Sequence, residues 1–272
     1  MGNLLIRKAE LHDCAGIQNI HRNCDDPWHD QEECAAWVSK RLERGFYIQI
    51  AEIDGKTVGH GEWVVTIDPR DTFLCLGMLQ MDEDFQGRGI GRKMIEDGIR
   101  MAKEQDCHKI VTIPETGSEG FYMKCGFVNG RLIKSVTLQT SDCGYSKQYT
   151  AIESAPFSII QKSLFIFGLA QASSRHMWEA YNQKPATDDR MSAAILSDDG
   201  DCIQLGWFAG SDTALALYWG NSPGHCVSDI LTFGNRLGLQ KIAFLFYEDY
   251  QFLFDGSDLE IHTEHVEIYK TL

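Results

Sequence analysis

The feature that most constrains the fold is an apolar run, followed by a glycine-rich loop and then by a helical pattern. The run TFLCLGMLQM (72–81) predicts a buried, central strand. The loop EDFQGRGIGRKM (83–94) contains three glycines and three cationic side chains. Small and apolar residues then recur at helical spacing, at Ile90, Met94, Gly98 and Ala102. A second strand, CHKIVTIPE (107–115), follows, so this order predicts a right-handed crossover and parallel pairing.

The flanking patterns predict an α+β fold, in which helices flank a mixed sheet. Helical patterns cover 14–24, 30–45 and 117–127, and a closing strand covers 130–140. Residues 46–67 read as a hairpin that turns at Asp54-Gly55.

Residues after 145 repeat part of this order with strand, strand, helix and strand. We therefore predict two domains, 1–145 and 146–272, of which the second is a degenerate copy of the first.

Composition limits the classes of partner. The chain has 272 residues and a net charge of −14, which argues against nonspecific nucleic-acid binding. No apolar run is long enough to cross a membrane, and the N-terminus lacks the apolar core of a signal peptide. The nine cysteines form no CxxC pair and favour reduced thiols in the cytoplasm.

The loop at 83–94 has the chemistry of an anion site. A helix N-terminus presents unpaired N–H groups, glycines let a ligand approach the backbone, and arginines add charged donors. The pattern GxxxxGK[ST] is absent, and GxGxxG fails because Arg92 stands where the third glycine belongs. The loop is therefore predicted to bind a phosphate or pyrophosphate through a pattern other than these two.

Three motifs together resemble the GNAT N-acetyltransferase superfamily. They are Gln86-Gly87-Arg88-Gly89-Ile90-Gly91, the strand end Leu79-Gln80-Met81, and the segment Phe121 to Phe127 with its Tyr122 and Gly126. The resemblance implies a splayed sheet of the acyl-CoA N-acyltransferase type, in tandem here, with acetyl-CoA as cosubstrate and no metal. It assigns CoA binding to Leu79, Met81, Gln86, Gly87, Arg88, Gly89, Ile90, Gly91 and Arg92.

The same resemblance implies a mechanism of direct acyl transfer to a primary amine of a small molecule or peptide. It assigns an oxyanion-binding N–H to the backbone near Met81 and protonation of the leaving thiolate to Tyr122. The alternative for Tyr122 is a purely structural core aromatic. At position 115, where the family often has asparagine, this chain has Glu115, which is either a substitute there or an acid on the acceptor side.

The residue that accepts the amine's proton is predicted from strand alternation. His60 and Glu62 share one face of their strand, opposite Trp63, and either could line the acceptor groove or face solvent. We take Glu62 as the candidate base. An alternative to an enzyme is a noncatalytic acyl-CoA-binding regulatory module.

The second half lacks the loop and its arginines, so we expect it not to bind CoA. It is expected to cover the acceptor groove or to form a subunit contact, as in a homodimer.

Overall fold

The computed structural model describes residues 3–21, 31–68, 71–156, 158–159, 163, 165–167, 190–221, 223–255 and 259–272. It divides into two compact units. The first comprises Met1–Val128 and Ile268–Leu272, and the second comprises Asn129–Glu267.

The first unit is a mixed sheet with helices on both faces. Its strands are β1 (Leu4–Lys8), β2 (Phe46–Ile53), β3 (Lys56–Asp68), β4 (Asp71–Met81), β5 (Lys109–Thr112) and the end of β13 (Glu260–Thr271). They pair in that order, and β4 with β5 is the parallel pair. The helices are α1 (Cys14–His21), α2 (Gln31–Glu43), α3 (Ile90–Glu104) and α4 (Glu119–Lys124).

These elements confirm the predicted hairpin, crossover and helices, and residues 22–24 and 30 of the predicted helices lie outside the described residues. The turn at Asp54-Gly55 has positive φ at both residues, as that dipeptide predicts. Trp63 lies over Gly98 of α3, where an added Cβ would be 2.3 Å from the indole. The small residue in the helical pattern therefore lets α3 pack closely on the sheet.

The second unit repeats the strand–helix–strand crossover. Its elements are β6 (Val128–Gln139), β7 (Tyr149–Ile152), β8 (Phe165–Phe167), β9 (Arg190–Ser197), β10 (Cys202–Phe208), β11 (Thr213–Gly220), α5 (Cys226–Arg236), β12 (Lys241–Tyr247) and most of β13. Strands β11 and β12 are parallel and joined through α5, like β4 and β5 through α3. A core of apolar side chains, including Ile230, Phe233, Leu205 and Phe244, lies between α5 and the sheet.

The predicted domain boundary at residue 145 differs from the division in the structure. The strand expected to close the first domain, β6, pairs with β12 of the second unit through seven residue pairs. Beside β5 the first unit instead has Ile268–Thr271, antiparallel to Lys109–Thr112. Each unit therefore contains a strand from the other half of the sequence. Strand β6, apart from Val128, lies in the second unit, and Ile268–Thr271 lie in the first.

Among the described residues, no helix combines the length and the apolar character needed to cross a membrane.

Candidate active site

The site begins where β4 and β5 separate. The two strands pair only at Phe73, Leu74 and Cys75 of β4. The Thr112 hydroxyl at the end of β5 then donates to the Leu76 carbonyl at 2.8 Å. Beyond this point, no described strand pairs with that edge of β4, and residues 77–81 line a cavity. A polar strand edge is thus left open toward the cavity.

A bulge in β4 marks the point of separation. Trp63 pairs with Leu76 and Glu62 pairs with Met78, so Gly77 is the extra residue on β4. Bulges redirect the residues that follow them and are frequent beside active sites. Gly77 itself lines the cavity.

The cavity has a volume of about 560 Å³. Its walls are the end of β4, the glycine-rich loop, the first turn of α3, the end of β5 and α4. Eight of the nine residues predicted to bind the cofactor line it: Leu79, Met81, Gln86, Gly87, Gly89, Ile90, Gly91 and Arg92. The structure therefore brings the strand and loop motifs to one place.

Arg88 is the ninth residue, and it does not line the cavity. Its guanidinium donates to the Asp84 carbonyl at 2.7 Å and lies 4.9 Å from the ring centroid of Phe85. Arg92, in the first turn of α3, does line the cavity; its side chain is 65% exposed and pairs with Glu96 at 3.3 Å. Of the two predicted arginines, Arg92 is thus the one positioned to meet an anion there.

The loop backbone depends on glycine at the start of α3. Gly89 is the N-cap residue and has φ 79°, in the left-handed region that side-chain-bearing residues rarely adopt. Gly87 also has a positive φ of 71°. These conformations turn the chain into the helix so that its unpaired N–H groups lie at the cavity wall.

Tyr122 lies on α4 and lines the cavity with a side chain that is almost wholly buried. Its ring packs edge-on against Phe121 and Phe127, with centroids 5.0 and 5.5 Å away. Burial raises the pKa of Tyr122 to about 12, the Glu115 carboxylate adds to the increase, and a hydrogen bond with Thr112 opposes it. The phenol is therefore protonated at neutral pH and can donate a hydrogen bond.

His60 and Glu62 share a face of β3, as alternation predicts, but neither faces solvent and neither lines the cavity. The Glu62 carboxylate is fully buried and accepts hydrogen bonds from Arg41 and, at 3.3 Å, from the Trp37 indole. His60 Nδ1 lies 2.8 Å from His21 Nε2. The prediction that these residues could face solvent is wrong, because α1 and α2 cover this face with Arg41, Trp37 and His21.

Sequence reasoning missed two contributors to the site. Thr112 fixes the point where the strands separate and also bonds with Tyr122. Cys125, to which no motif assigns a role, is half-buried and lines the cavity. Thr112 lies near the end of the predicted strand 107–115, and Cys125 lies inside the motif from Phe121 to Phe127. Their positions in these two elements were the signal that could have identified them. Within the described ranges, no group of three or more His, Cys, Asp or Glu side chains could hold a metal ion.

The equivalent region of the second unit is organised differently. A cavity of about 290 Å³ lies beside the start of α5, and no arginine or lysine is among the described residues that line it. After pairing with β12 at residues 213–215, β11 pairs with β8 at Tyr218, Trp219 and Gly220. The strand edge that is open in the first unit is therefore occupied here.

Residues 14–127 match the sequence model of the acetyltransferase (GNAT) family. The chain contains a GNAT domain. The matched residues include the open edge of β4, the glycine loop and Tyr122. The GNAT domain is thus the part of the chain that forms the cavity.

Known proteins with similar sequences and folds agree with this assignment. An uncharacterized N-acetyltransferase of Methanocaldococcus jannaschii is 31% identical over 141 residues, which are 47% of this chain and 61% of that protein. A GCN5-related N-acetyltransferase from Anabaena variabilis has a TM-score of 0.71 at 14% identity, covering 99% of this chain and 73% of that one. A tandem GNAT protein from the clavulanic acid biosynthesis pathway has a TM-score of 0.60 at 11% identity, covering 99% and 98%. These matches confirm the mixed-sheet fold with flanking helices.

Proposed function

We propose that the protein transfers an acetyl group from acetyl-CoA directly to a primary amine of a small molecule or peptide. The observation that carries this proposal is the meeting of an open strand edge, a glycine-rich helix start and Tyr122 in one cavity. The open edge of β4 suits the amides of the pantetheine arm, which would add to the sheet like a strand. The first turn of α3 and Arg92 suit the pyrophosphate.

In this proposal Tyr122 acts on the leaving group. The amine nitrogen attacks the thioester carbonyl, the carbon–sulfur bond breaks, and the CoA sulfur leaves as a thiolate. A thiol has a pKa of about 8.5, about 3.5 units below that of Tyr122, so full proton transfer is uphill by about 5 kcal/mol. Tyr122 therefore stabilises the developing thiolate chiefly as a hydrogen-bond donor, and the amine's proton leaves to solvent. A backbone N–H near Met81 is the proposed oxyanion donor.

Glu62 enters this proposal as a positioning residue instead of a base. Its carboxylate is held by Arg41 and Trp37 beneath β3, and Glu62 pairs with Met78 beside the bulge at Gly77. Arg88 has a similar supporting role, because it holds the Asp84 carbonyl at the start of the loop. Both residues therefore fix the backbone that lines the cavity.

The second unit is proposed to be a degenerate GNAT-like domain that does not bind CoA. It covers the acceptor groove or forms a contact with a second copy of the chain. The proposed location is the cytoplasm, supported by the eight described cysteines, which are all free thiols.

An acetyl-CoA consumption screen tests the main proposal. The intact protein is assayed for release of free CoA with polyamines, aminoglycosides, amino acids and peptides. We expect turnover with at least one class, and calorimetric titration with CoA should give one site per chain. Two sites per chain would contradict the proposal for the second unit, and the absence of CoA binding would contradict the proposal as a whole.

The second candidate function is noncatalytic binding of acyl-CoA. The burial of Glu62 favours it, because the carboxylate predicted to be the base does not reach the cavity. Tight binding of acetyl-CoA without turnover across the whole screen would support this alternative over the enzyme.

A further inference from the structure

The cavity has an uneven distribution of charge. Among the described residues that line it, Glu115 is the one carboxylate, whereas Arg92 and Lys124 are cationic. Glu115 follows β5 and belongs to the part of the wall that also contains Thr112 and Tyr122. An acid in this position requires an explanation, because the proposed donor carries a negatively charged pyrophosphate.

The backbone around Glu115 is held in a turn that leaves its carboxylate exposed. Both the amide and the hydroxyl of Ser118 donate to the Glu115 carbonyl, at 2.9 and 2.7 Å. The nearby Glu119 differs, since its carboxylate accepts the Gly117 N–H at 2.8 Å and does not line the cavity. Two acids four residues apart thus have different surroundings.

The charged residues of the lining act on different parts of the wall. Burial raises the pKa of Tyr122, and Glu115 adds to that increase through its charge. Burial also raises the pKa of the Cys125 thiol, but there Arg92 opposes the increase. Glu115 therefore contributes negative charge near the phenol, and Arg92 contributes positive charge near Cys125.

A carboxylate is poorly suited to two other roles that Glu115 could have, namely accepting the amine's proton and binding the acetyl-CoA donor. A glutamate carboxylate is ordinarily about six pKa units less basic than a primary amine, so it is a poor direct acceptor of the amine's proton. It also cannot donate a hydrogen bond, and it would repel the pyrophosphate of the donor. A carboxylate is well suited to pair with a cation that keeps its charge throughout the reaction.

We propose that Glu115 is a specificity residue that binds a second, permanently charged group of the acceptor. The substrate class is then a diamine, or another amine with an additional cationic group, acetylated at its uncharged amine. This inference rests on the proposed function and adds the acceptor class to it.

Matched pairs of acceptors test the proposal. We would measure kcat/KM for butylamine against 1,4-diaminobutane and for hexylamine against 1,6-diaminohexane. The wild-type protein is expected to favour the diamine of at least one pair by about fivefold, the upper end of what a single exposed charge contact supplies. Glu115→Gln should reduce that preference to about twofold or less, whereas the control Glu119→Gln should retain it.

Binding measurements separate this inference from the proposed function. Calorimetry of the diamine with the protein–CoA complex reports recognition even without turnover, and Glu115→Gln should weaken it while leaving the Kd of CoA unchanged. Equal diamine preference or binding in wild type and Glu115→Gln would overturn the inference and leave the acetyltransferase proposal intact. A large change in CoA affinity in Glu115→Gln would also overturn it, because the carboxylate would then serve the donor. A protein that binds the diamine through Glu115 but acetylates no amine would support recognition of the cation by Glu115 and contradict the acetyltransferase proposal.

Discussion

The crossovers in the two units share a topology but differ at the edge of the strand that precedes the helix. In the first unit, β4 leaves residues 77–81 open toward a cavity of about 560 Å³. In the second unit, β11 pairs with β8 at Tyr218, Trp219 and Gly220. This pairing begins three residues beyond Leu215, where β11 last pairs with β12. The second unit thus supplies from its own chain the strand that a ligand would add in the first.

Two further differences accompany the filled edge. Arg92 lines the first cavity, whereas no arginine or lysine is among the described residues lining the second. On the neighbouring strand of the first unit, Glu62 is paired with Arg41, whereas on β10 of the second unit the buried Gln204 is neutral and its side-chain oxygen accepts the Ala155 N–H at 3.3 Å. The same backbone order can thus accompany either an open strand edge beside cationic side chains or a filled edge without them.

The largest effect is expected from Glu62→Gln, which removes a buried charge from the first unit. Removing the charge leaves the buried Arg41 guanidinium without its carboxylate, so the free energy of unfolding should fall by about 3 kcal/mol. Denaturant unfolding of the intact protein measures it. The control Glu52→Gln breaks a partly exposed pair with Arg7 and should cost less than about 1 kcal/mol. Equal costs for the two variants would show that burial of the Glu62 pair has no energetic consequence.

The next effect concerns the tyrosines that follow the last strand of each crossover. Tyr122→Phe should lower kcat about 100-fold, or about 2.7 kcal/mol in activation free energy, because the thiolate loses its donor. The affinity for CoA should persist. Tyr250→Phe is the matched control, since Tyr250 packs against the core of the second unit and should leave kcat unchanged.

The pH dependence checks the same assignment. Because the pKa of Tyr122 is raised to about 12, the advantage of wild type over Tyr122→Phe should hold to about pH 11 and decline with a midpoint near pH 12. A ratio of rates that declines with a midpoint near pH 10 would show an unperturbed phenol. Equal rates in the two proteins at all pH values would remove Tyr122 from the mechanism.

A smaller effect is expected from Arg92→Ala, which removes a cation that the second unit lacks. The Kd of CoA should rise about tenfold, or 1.4 kcal/mol, at the low end for hydrogen bonds to charged groups because the side chain is largely exposed. Arg88→Ala is the comparison, and it should have a weaker effect because Arg88 contacts Asp84 and Phe85. Calorimetric titration with CoA measures both, and a larger loss in Arg88→Ala would reverse the assignment.

The smallest effect is expected from Gly89→Ala, which strains the loop without removing a charge. An alanine at φ 79° should lower the free energy of unfolding by about 1 kcal/mol. Gly120→Ala in α4 is the control, because an added Cβ has no neighbour within 4 Å and the lost chain entropy favours alanine. Thermal unfolding should therefore shift in opposite directions for the two variants.

Local sequence signals predicted most of the first unit. The turn at Asp54-Gly55, the periodicity of α3 and the glycine loop each depend on residues close in sequence, and each has the predicted form. Eight of the nine predicted cofactor residues line one cavity because they lie on consecutive elements.

The failures concern long-range partners. Alternation places His60 and Glu62 on one face of β3, but it does not reveal that Arg41, some 20 residues earlier, covers that face and pairs with Glu62. Arg88 and Arg92 are arginines of the same loop sequence, and the sequence does not distinguish their roles. The structure shows that Arg88 contacts Asp84, whereas Arg92 lines the cavity. The strand beside β5 comes from Ile268–Thr271, more than 150 residues away, and no local pattern specifies that choice.

The strand exchange also bears on how the protein is made. Domains ordinarily fold as they leave the ribosome, with the N-terminal one first. Here the GNAT domain lacks its last strand until Ile268–Thr271 have been translated, and Ile268 packs into the same cluster as Tyr122. Lys270 also bonds the Cys125 carbonyl at 3.1 Å. The sheet of the first unit can therefore be completed only after the second unit has been translated, so the two units cannot mature strictly one after the other.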